Sequence, residues 1–156
     1  MYRKVLTVKE AEEKIKHFCA YQERNHSEVK QKLYSYGLFS NDINLIISNL
    51  IEENFLNEER FSIQFTKGKF NQKHWGKNKI KCELSKKQIS NRNIVKGLSE
   101  IDEKEYVAAL AKLTESYYSK LTEGDLFIKR KKTQNYLLQK GYEFDKIIEI
   151  LKSVIS

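Results

Sequence analysis

Residues 84–101 read LSKKQISNRNIVKGLSEI, and their pattern of apolar residues occurs three times in the chain. The counterparts are LYSYGLFSNDINLIISNL at residues 33–50 and LLQKGYEFDKIIEILKSV at residues 137–154. Each segment begins with a leucine, and apolar residues follow five, ten, fourteen and seventeen positions later. Positions ten, fourteen and seventeen are spaced as one face of a helix. A period of 51 to 53 residues is typical of tandem helical units.

The composition also favours helices. The chain of 156 residues has no proline and six glycines, and proline and glycine are the residues that most disfavour helix interiors. We therefore predict an all-α fold, an elongated array of three tandem three-helix repeats, with units at residues 1–55, 56–101 and 102–156. Each unit is expected to have a small core of its own and to bury further surface against its neighbours. The alternative is one irregular helical bundle.

Short polar residues mark where several of these helices begin. Thr7, Ser27, Asn57, Asp102 and Asp125 each precede an apolar-periodic segment and are residue types that cap helix N-termini. Glycines placed after apolar-periodic segments predict helix ends in the left-handed backbone region.

The net charge is concentrated in the middle of the chain. Residues 56–101 carry eleven cations and four carboxylates, and so account for +7 of the total charge of +8. Within Lys67–Lys96, which reads KGKFNQKHWGKNKIKCELSKKQISNRNIVK, Glu83 is the only carboxylate. A neutral–basic–neutral chain indicates one surface suited to a polyanion.

The candidate binding residues are the cations of this stretch, extended by two at the start of a helix in the third unit. They are Lys69, Lys73, Lys77, Lys79, Lys81, Lys86, Lys87 and Arg92, followed by Lys129 and Arg130. No helix is marked as presenting base-reading side chains, so we expect weak, phosphate-directed contact with single-stranded DNA and a steep salt dependence.

Two features of the stretch remain open to a second interpretation. Lys79, Glu83 and Lys87 are four residues apart and are also typical of a solvated charge ladder on a helix. Trp75 and Phe70 are able to stack on bases, but the interpretation that we favour places Phe70 in the core and Trp75 as a packing residue between units.

Several classes of function lack support in the sequence. His17, His26 and His74 have no metal-ligand spacing, and neither a phosphate loop nor a nucleophile elbow is present. Cys19 and Cys82 indicate neither a disulfide framework nor a zinc site, which favours the reducing cytoplasm. No apolar run is long enough to span a membrane. We therefore expect a protein that is not an enzyme, with no metal and no cofactor.

Four motifs then match a known family, in the family's order. The first motif, R-x-x-S-x-x-E/V-x-x-K-L-x-x-x-G, is matched by Arg24, Ser27, Glu28, Val29, Leu33 and Gly37, and the second, F-L-(D/N)-(D/E)-x-R-(F/Y), by Phe55-Leu56-Asn57-Glu58-Glu59-Arg60-Phe61. The third motif, G-x-x-(K/R)-I-x-x-E-L-x-x-K-G-I, is matched by Gly76, Lys79, Ile80, Glu83, Leu84, Lys87 and Ile89. The fourth motif, L-x-x-x-G-(F/Y)-x-x-(D/E)-x-I, is matched by Leu137, Gly141, Tyr142, Asp145 and Ile147. Together they span residues from about 20 to 152.

The chain thus resembles the RecX family, bacterial regulators of the RecA recombinase. The resemblance implies a helical array that binds the RecA–DNA filament and inhibits its ATPase and strand-exchange activity. It implies no enzymatic activity of its own. We also expect a monomer with no membrane partner. Gln88 stands where the family usually has glycine, so we expect the end of that helix to be built differently. Arg24 and Arg60 either contact the partner or brace the units. The alternative is a general helical nucleic-acid-binding protein without a recombinase partner.

Overall fold

A computed structural model describes residues 5–155 of the chain, and the regular secondary structure of that range is entirely α-helical. The nine helices are α1 (Val8–Tyr21), α2 (His26–Ser35), α3 (Ser40–Glu52), α4 (Glu58–Lys73), α5 (Lys77–Lys86), α6 (Asn91–Ser99), α7 (Glu103–Lys120), α8 (Leu126–Lys140) and α9 (Phe144–Val154). They form three consecutive groups of three, which we call the first, second and third units. The predicted all-α repeat architecture is confirmed.

Most of the predicted helix starts have the expected side-chain caps. The side chains of Thr7, Asn57, Asp102 and Asp125 each accept a hydrogen bond from a backbone N–H in the first turn of α1, α4, α7 and α8, respectively. The prediction of Ser27 as the cap of α2 is wrong. Asn25 caps that helix, and Glu28 returns the bond to the backbone of Asn25 in a reciprocal capping box.

The repeated apolar positions are core positions in all three units. Leu33, Leu84 and Leu137, the first residues of the three related segments, are fully buried. They lie near the ends of α2, α5 and α8, the middle helices of their units. The periodicity of the sequence therefore reports packing toward the core, as the repeat interpretation requires.

Each middle helix ends in the left-handed backbone region. Gly37 has φ +88°, Gly141 has φ +99°, and Gln88 at the corresponding position of the second unit has φ +64°. The expectation that Gln88 changes the end of α5 is wrong, because the backbone of Gln88 adopts the same left-handed conformation as the two glycines. Residues other than glycine adopt this region at a conformational cost.

The cores are distributed differently from the prediction of one core per unit. The first unit has its own cluster of buried apolar side chains, which includes Ile15 and Leu33. The second and third units share one continuous cluster, in which the ring centroids of Phe70 and Tyr106 lie 5.8 Å apart and those of Tyr106 and Tyr142 lie 5.1 Å apart. The expectation of separate cores is wrong for these two units.

The first and second units are joined by polar contacts. Arg60 donates from Nε to Glu23 Oε1 at 2.6 Å and from Nη2 to the carbonyl oxygen of Asn54 at 3.0 Å. The backbone N–H of His26 donates to Glu58 Oε2 at 3.1 Å. Arg60 therefore braces the array from within.

Arg24 also makes its contacts within the protein, with Phe18 of the same unit. Its guanidinium lies 3.7 Å from the ring centroid of Phe18, and its Nε donates to the carbonyl oxygen of Phe18 at 3.1 Å. The residue stabilises the turn between α1 and α2 and offers little free surface to a partner.

Candidate nucleic-acid interface

The basic stretch folds so that three of its lysines converge on two aromatic rings. Lys69 and Lys79 place their Nζ atoms 4.9 Å and 4.5 Å from the ring centroid of Trp75. Lys69 and Lys87 lie 5.5 Å and 5.7 Å from the ring centroid of Phe65. We call these five residues the lysine–aromatic cluster. Each ammonium group lies within the usual range of a cation–π contact.

Helical spacing explains how the cluster is assembled. Phe65 and Lys69 are four residues apart on one face of α4. Lys79 lies on α5, and Lys87 is the C-cap residue directly after the end of that helix. Trp75 lies in the connection between the two helices, 6.4 Å from Phe65 in an edge-on arrangement. It is partly buried against the core that the second and third units share. The turn between α4 and α5 thus brings both lysine-bearing faces to the same aromatic pair.

The cluster is cationic without local compensation. Among residues 5–155, no carboxylate oxygen lies within 4.0 Å of the ammonium groups of Lys69, Lys79 or Lys87. Glu83 lies one helical turn from both Lys79 and Lys87, but it pairs with Lys86 at 3.4 Å. The alternative of a charge ladder along α5 is therefore not formed, and the three cations remain available to an anion.

The start of α5 is held by the third unit. Gly76 has no side chain to cap the helix, and the first N–H groups of α5 are satisfied across the junction instead. The N–H of Lys77 donates to the hydroxyl oxygen of Tyr106 at 2.9 Å, and that of Asn78 donates to the carbonyl oxygen of Gly141 at 2.9 Å. The position of Lys79, one residue further on, is consequently set by packing between units.

Tyr106 is the buried centre of this junction. Its hydroxyl accepts the bond from Lys77 and donates to a carboxylate oxygen of Glu143. Burial of the ring, together with the bond to Glu143, raises the pKa of Tyr106 well above its usual range. The hydroxyl thus remains protonated as a donor, which stabilises the contact between α5 and the start of α9.

Not all of the predicted binding residues join the cluster. Lys77 turns to the third unit, where its Nζ lies 3.4 Å from Glu103 Oε2 and 4.7 Å from the ring centroid of Tyr106. The remaining four predicted cations of the second unit are exposed. These are Lys73 at the end of α4, Lys81 and Lys86 on the outer face of α5, and Arg92 in the first turn of α6.

The two predicted cations of the third unit lie at the first turns of α8. Lys129 places its Nζ 4.2 Å from the ring centroid of Tyr118 on α7. Arg130 is exposed and lines a cavity between α7, α8 and the end of α9. Both residues thus lie on the surface of the third unit, and neither makes the contacts that define the lysine–aromatic cluster.

Phe65 is not among the residues that the sequence predicts for binding, although its ring contacts both Lys69 and Lys87. The available signal was the spacing of Phe65 and Lys69, four residues apart on a helix. The approach of Lys79 to Trp75 and of Lys87 to Phe65 depends on the geometry of the turn at Trp75, which the spacing does not encode.

Within residues 5–155, no group of three or more His, Cys, Asp or Glu side chains is arranged to hold a metal ion. None of the helices in that range is both long enough and apolar enough to cross a membrane.

Comparison with known proteins agrees with the tandem arrangement of units. Residues 57–98 match the family model described as "RecX, second three-helix domain", and residues 103–151 match "RecX, third three-helix domain". The two matches adjoin in the expected order and together take up more than half of the chain. The chain belongs to the RecX family.

Relatives extend this membership over most of the chain. The RecX regulatory protein of Clostridium botulinum is 34% identical over 136 residues, covering 85% of this chain and 63% of that protein. That of Clostridium perfringens is 32% identical over 124 residues, covering 78% and 58%. The present RecX-family chain therefore spans about three fifths of the length of these relatives.

Solved structures show the same fold. The crystal structure of RecX from Lactobacillus salivarius matches with a TM-score of 0.86 and 25% identity, covering 94% of this chain and 96% of that one. A second crystal structure, described as regulatory protein RecX, matches with a TM-score of 0.82 at 16% identity and supports the fold alone. The first unit, which neither family model covers, falls within the extent of these structural matches.

Proposed function

We propose that this RecX-family chain regulates homologous recombination and DNA repair by binding the RecA–DNA filament in the cytoplasm. Binding inhibits the ATPase and strand-exchange activities of the filament, and the chain catalyses no reaction of its own. The named regulatory relatives and the lysine–aromatic cluster support this proposal. The cluster is the single structural observation on which the DNA contact rests.

The three lysines of the lysine–aromatic cluster are preorganised for binding. Lysine side chains normally lose rotamer freedom when they bind, which reduces affinity. Lys69, Lys79 and Lys87 are already held against Phe65 and Trp75, so less freedom remains to be lost. The phosphates of a nucleic acid provide closely spaced negative charges, and several held cations are suited to neutralise them together.

The tandem units also suit a long partner. We infer boundaries after residues 55 and 101, so that the basic unit lies between two units of nearly balanced charge. An array of this kind contacts an extended filament at several points along its length. In this proposal the second unit binds DNA phosphates weakly, as a monomer, and other surfaces contact the recombinase.

The test is DNA-dependent ATP hydrolysis by the cognate RecA, with substoichiometric amounts of this chain. We expect the rate of ATP hydrolysis to fall at molar ratios well below one molecule of the chain per recombinase molecule. The variant Lys69→Glu/Lys79→Glu/Lys87→Glu should lose this effect and its affinity for single-stranded DNA. The matched control is Lys9→Glu/Lys14→Glu/Lys30→Glu, which makes the same charge change at exposed positions of the first unit.

Two results would contradict the proposal. If hydrolysis falls only when the chain saturates the DNA, the chain acts as a general nucleic-acid binder that competes for phosphates. If both triple variants lose DNA binding equally, the effect follows net charge and the cluster has no special role.

A further inference from the structure

The first turns of α8 expose three consecutive apolar side chains. Leu126 and Phe127 retain 65% and 76% of their surface, and Ile128 retains 43%. They follow directly on the cap residue Asp125 and precede four cations, Lys129 to Lys132. Exposed apolar groups clustered in this way are typical of interaction surfaces, whereas single ones are ordinary.

The helix arranges these residues in pairs. Leu126 and Arg130 are four apart, as are Phe127 and Lys131, so each exposed apolar side chain has a cation one turn further along. Lys132 is neutralised by an ion pair with Glu123. We call Leu126, Phe127, Arg130 and Lys131 the apolar–basic surface.

A cavity adjoins this surface. It has a volume of about 380 Å³ and lies between α7, α8 and the end of α9, with Leu126 and Arg130 at its edge. Tyr118, Val154 and Ile155 provide most of the remaining apolar lining. One carboxylate, Glu115, also lines it, but Lys129, Arg130 and Lys131 give the surrounding first turns of α8 a net positive charge.

The character of this surface differs from that of the lysine–aromatic cluster. There the rings of Phe65 and Trp75 lie partly buried beneath ammonium groups, so the outer layer is cationic. Here the apolar groups of Leu126 and Phe127 themselves face outward. Phosphates gain nothing from exposed apolar side chains, whereas a protein surface buries them favourably.

We propose that the apolar–basic surface docks a segment of a protein partner on which apolar side chains alternate with carboxylates at helical spacing. An apolar side chain of that segment enters the cavity beside Leu126, and carboxylates pair with Arg130 and Lys131. This inference rests on the proposed function in one respect, because it assigns contact with the recombinase to the third unit and contact with DNA to the second.

The test uses the variant Leu126→Ser/Phe127→Ser. Its matched control is Phe39→Ser/Leu45→Ser, since Phe39 and Leu45 of the first unit are similarly exposed, at 81% and 58%. Affinity is measured by fluorescence anisotropy for recombinase filaments assembled on single-stranded DNA and for the naked DNA. We expect the third-unit variant to lose at least tenfold in filament affinity and to keep its naked-DNA affinity within twofold. The control should keep both.

A peptide probe separates this inference from the proposed function. The probe is a labelled helical peptide with leucine and glutamate four residues apart, and its control carries lysine in place of glutamate. Suppose that the wild type binds the glutamate peptide, that Leu126→Ser/Phe127→Ser does not, and that the wild type leaves ATP hydrolysis by the recombinase unchanged. The docking surface is then supported, and the proposed action on the recombinase is contradicted.

Other outcomes would overturn the docking proposal itself. Equal loss of filament and naked-DNA affinity in the third-unit variant would make this surface part of the DNA contact. Unchanged filament and peptide binding would remove it from any protein interface. Binding of wild type to vesicles of anionic phospholipid, lost on Leu126→Ser/Phe127→Ser while peptide binding is absent, would assign the surface to a membrane.

Discussion

Gly76 and Gly141, which are 65 positions apart in sequence, lie in direct backbone contact between the second and third units. A Cβ atom added to Gly76 would lie 2.3 Å from the carbonyl carbon of Gly141. A Cβ added to Gly141 would in turn lie 2.3 Å from the Cβ of Lys79. The N–H of Gly76 donates to the carbonyl oxygen of Lys140 at 2.7 Å, so the approach is also fixed by hydrogen bonding.

We predict that Gly76→Ala destabilises the protein, by about 1–3 kcal/mol in the free energy of unfolding. Gly76 has φ −77°, which alanine adopts freely, so the cost is steric: the backbone at Gly141 must move. Denaturant unfolding measures it. Gly124→Ala is the control, because a Cβ there meets no atom within 4 Å. Equal stability of the two variants would show that the junction is loose.

This contact shows where prediction from the sequence ends. The sequence predicts Gly141 as the end of a helix, because that signal is local: an apolar-periodic segment followed by glycine. Gly76 is recognisable only as part of a turn. That the two residues meet, and that Tyr106 caps α5 from another unit, depends on packing between residues distant in sequence.

The candidate site divides in the same way. Charge imbalance identifies the basic stretch that contains Lys79 on α5 and Lys87 directly after the end of α5. The sequence does not show that Lys77 turns away to Glu103, because the acidic partner lies in a different unit. Nor does it show that Lys69 reaches the ring of Trp75 together with Lys79, which requires the geometry of the connecting turn.

A second prediction concerns two glycines inside helices. Gly68→Ala in α4 should stabilise the protein by up to about 1 kcal/mol, because alanine has the higher helix propensity and the added Cβ meets nothing within 4 Å. Gly97→Ala in α6 should destabilise it, because the Cβ would lie 2.4 Å from the Oγ of Ser62 and 2.8 Å from its carbonyl oxygen.

Thermal unfolding of the two variants side by side provides the comparison. Both variants make the same chemical change within a helix, so only the surroundings of the added Cβ differ. The midpoint of thermal unfolding should therefore rise for Gly68→Ala and fall for Gly97→Ala, relative to the wild type. A shift of both midpoints upward would mean that α4 and α6 are not closely packed at Ser62.

A third prediction follows from the left-handed conformation of Gln88. Gln88→Gly should raise the free energy of unfolding by up to about 1 kcal/mol, because glycine adopts φ +64° without the steric cost borne by glutamine. Gln31→Gly, an exposed position within α2, should lower it by about 1 kcal/mol through loss of helix propensity. Urea unfolding curves measure both changes, and destabilisation by Gln88→Gly would contradict the assigned backbone conformation.

A fourth prediction concerns stability at alkaline pH. Burial, and then the nearby charge of Glu143, raise the pKa of Tyr142 above its usual value of 10.0. Above about pH 10 the unfolded chain therefore releases a proton that the folded chain keeps, and ionisation favours unfolding. This tyrosine's contribution to stability is fully present below about pH 10. It is lost above that pH at about 1.4 kcal/mol per pH unit.

The variant Tyr142→Phe removes that titration. Its hydroxyl donates to the carbonyl oxygen of His74 at 3.0 Å, so the variant should lose about 1 kcal/mol at neutral pH. Above about pH 10 its stability should fall less steeply than that of wild type, and the two curves should converge. Tyr21→Phe, at an exposed position, should run parallel to wild type. Urea unfolding from neutral pH to about pH 11 measures the slopes, and parallel curves for Tyr142→Phe and wild type would show that Tyr142 ionises in the folded protein as readily as in the unfolded chain.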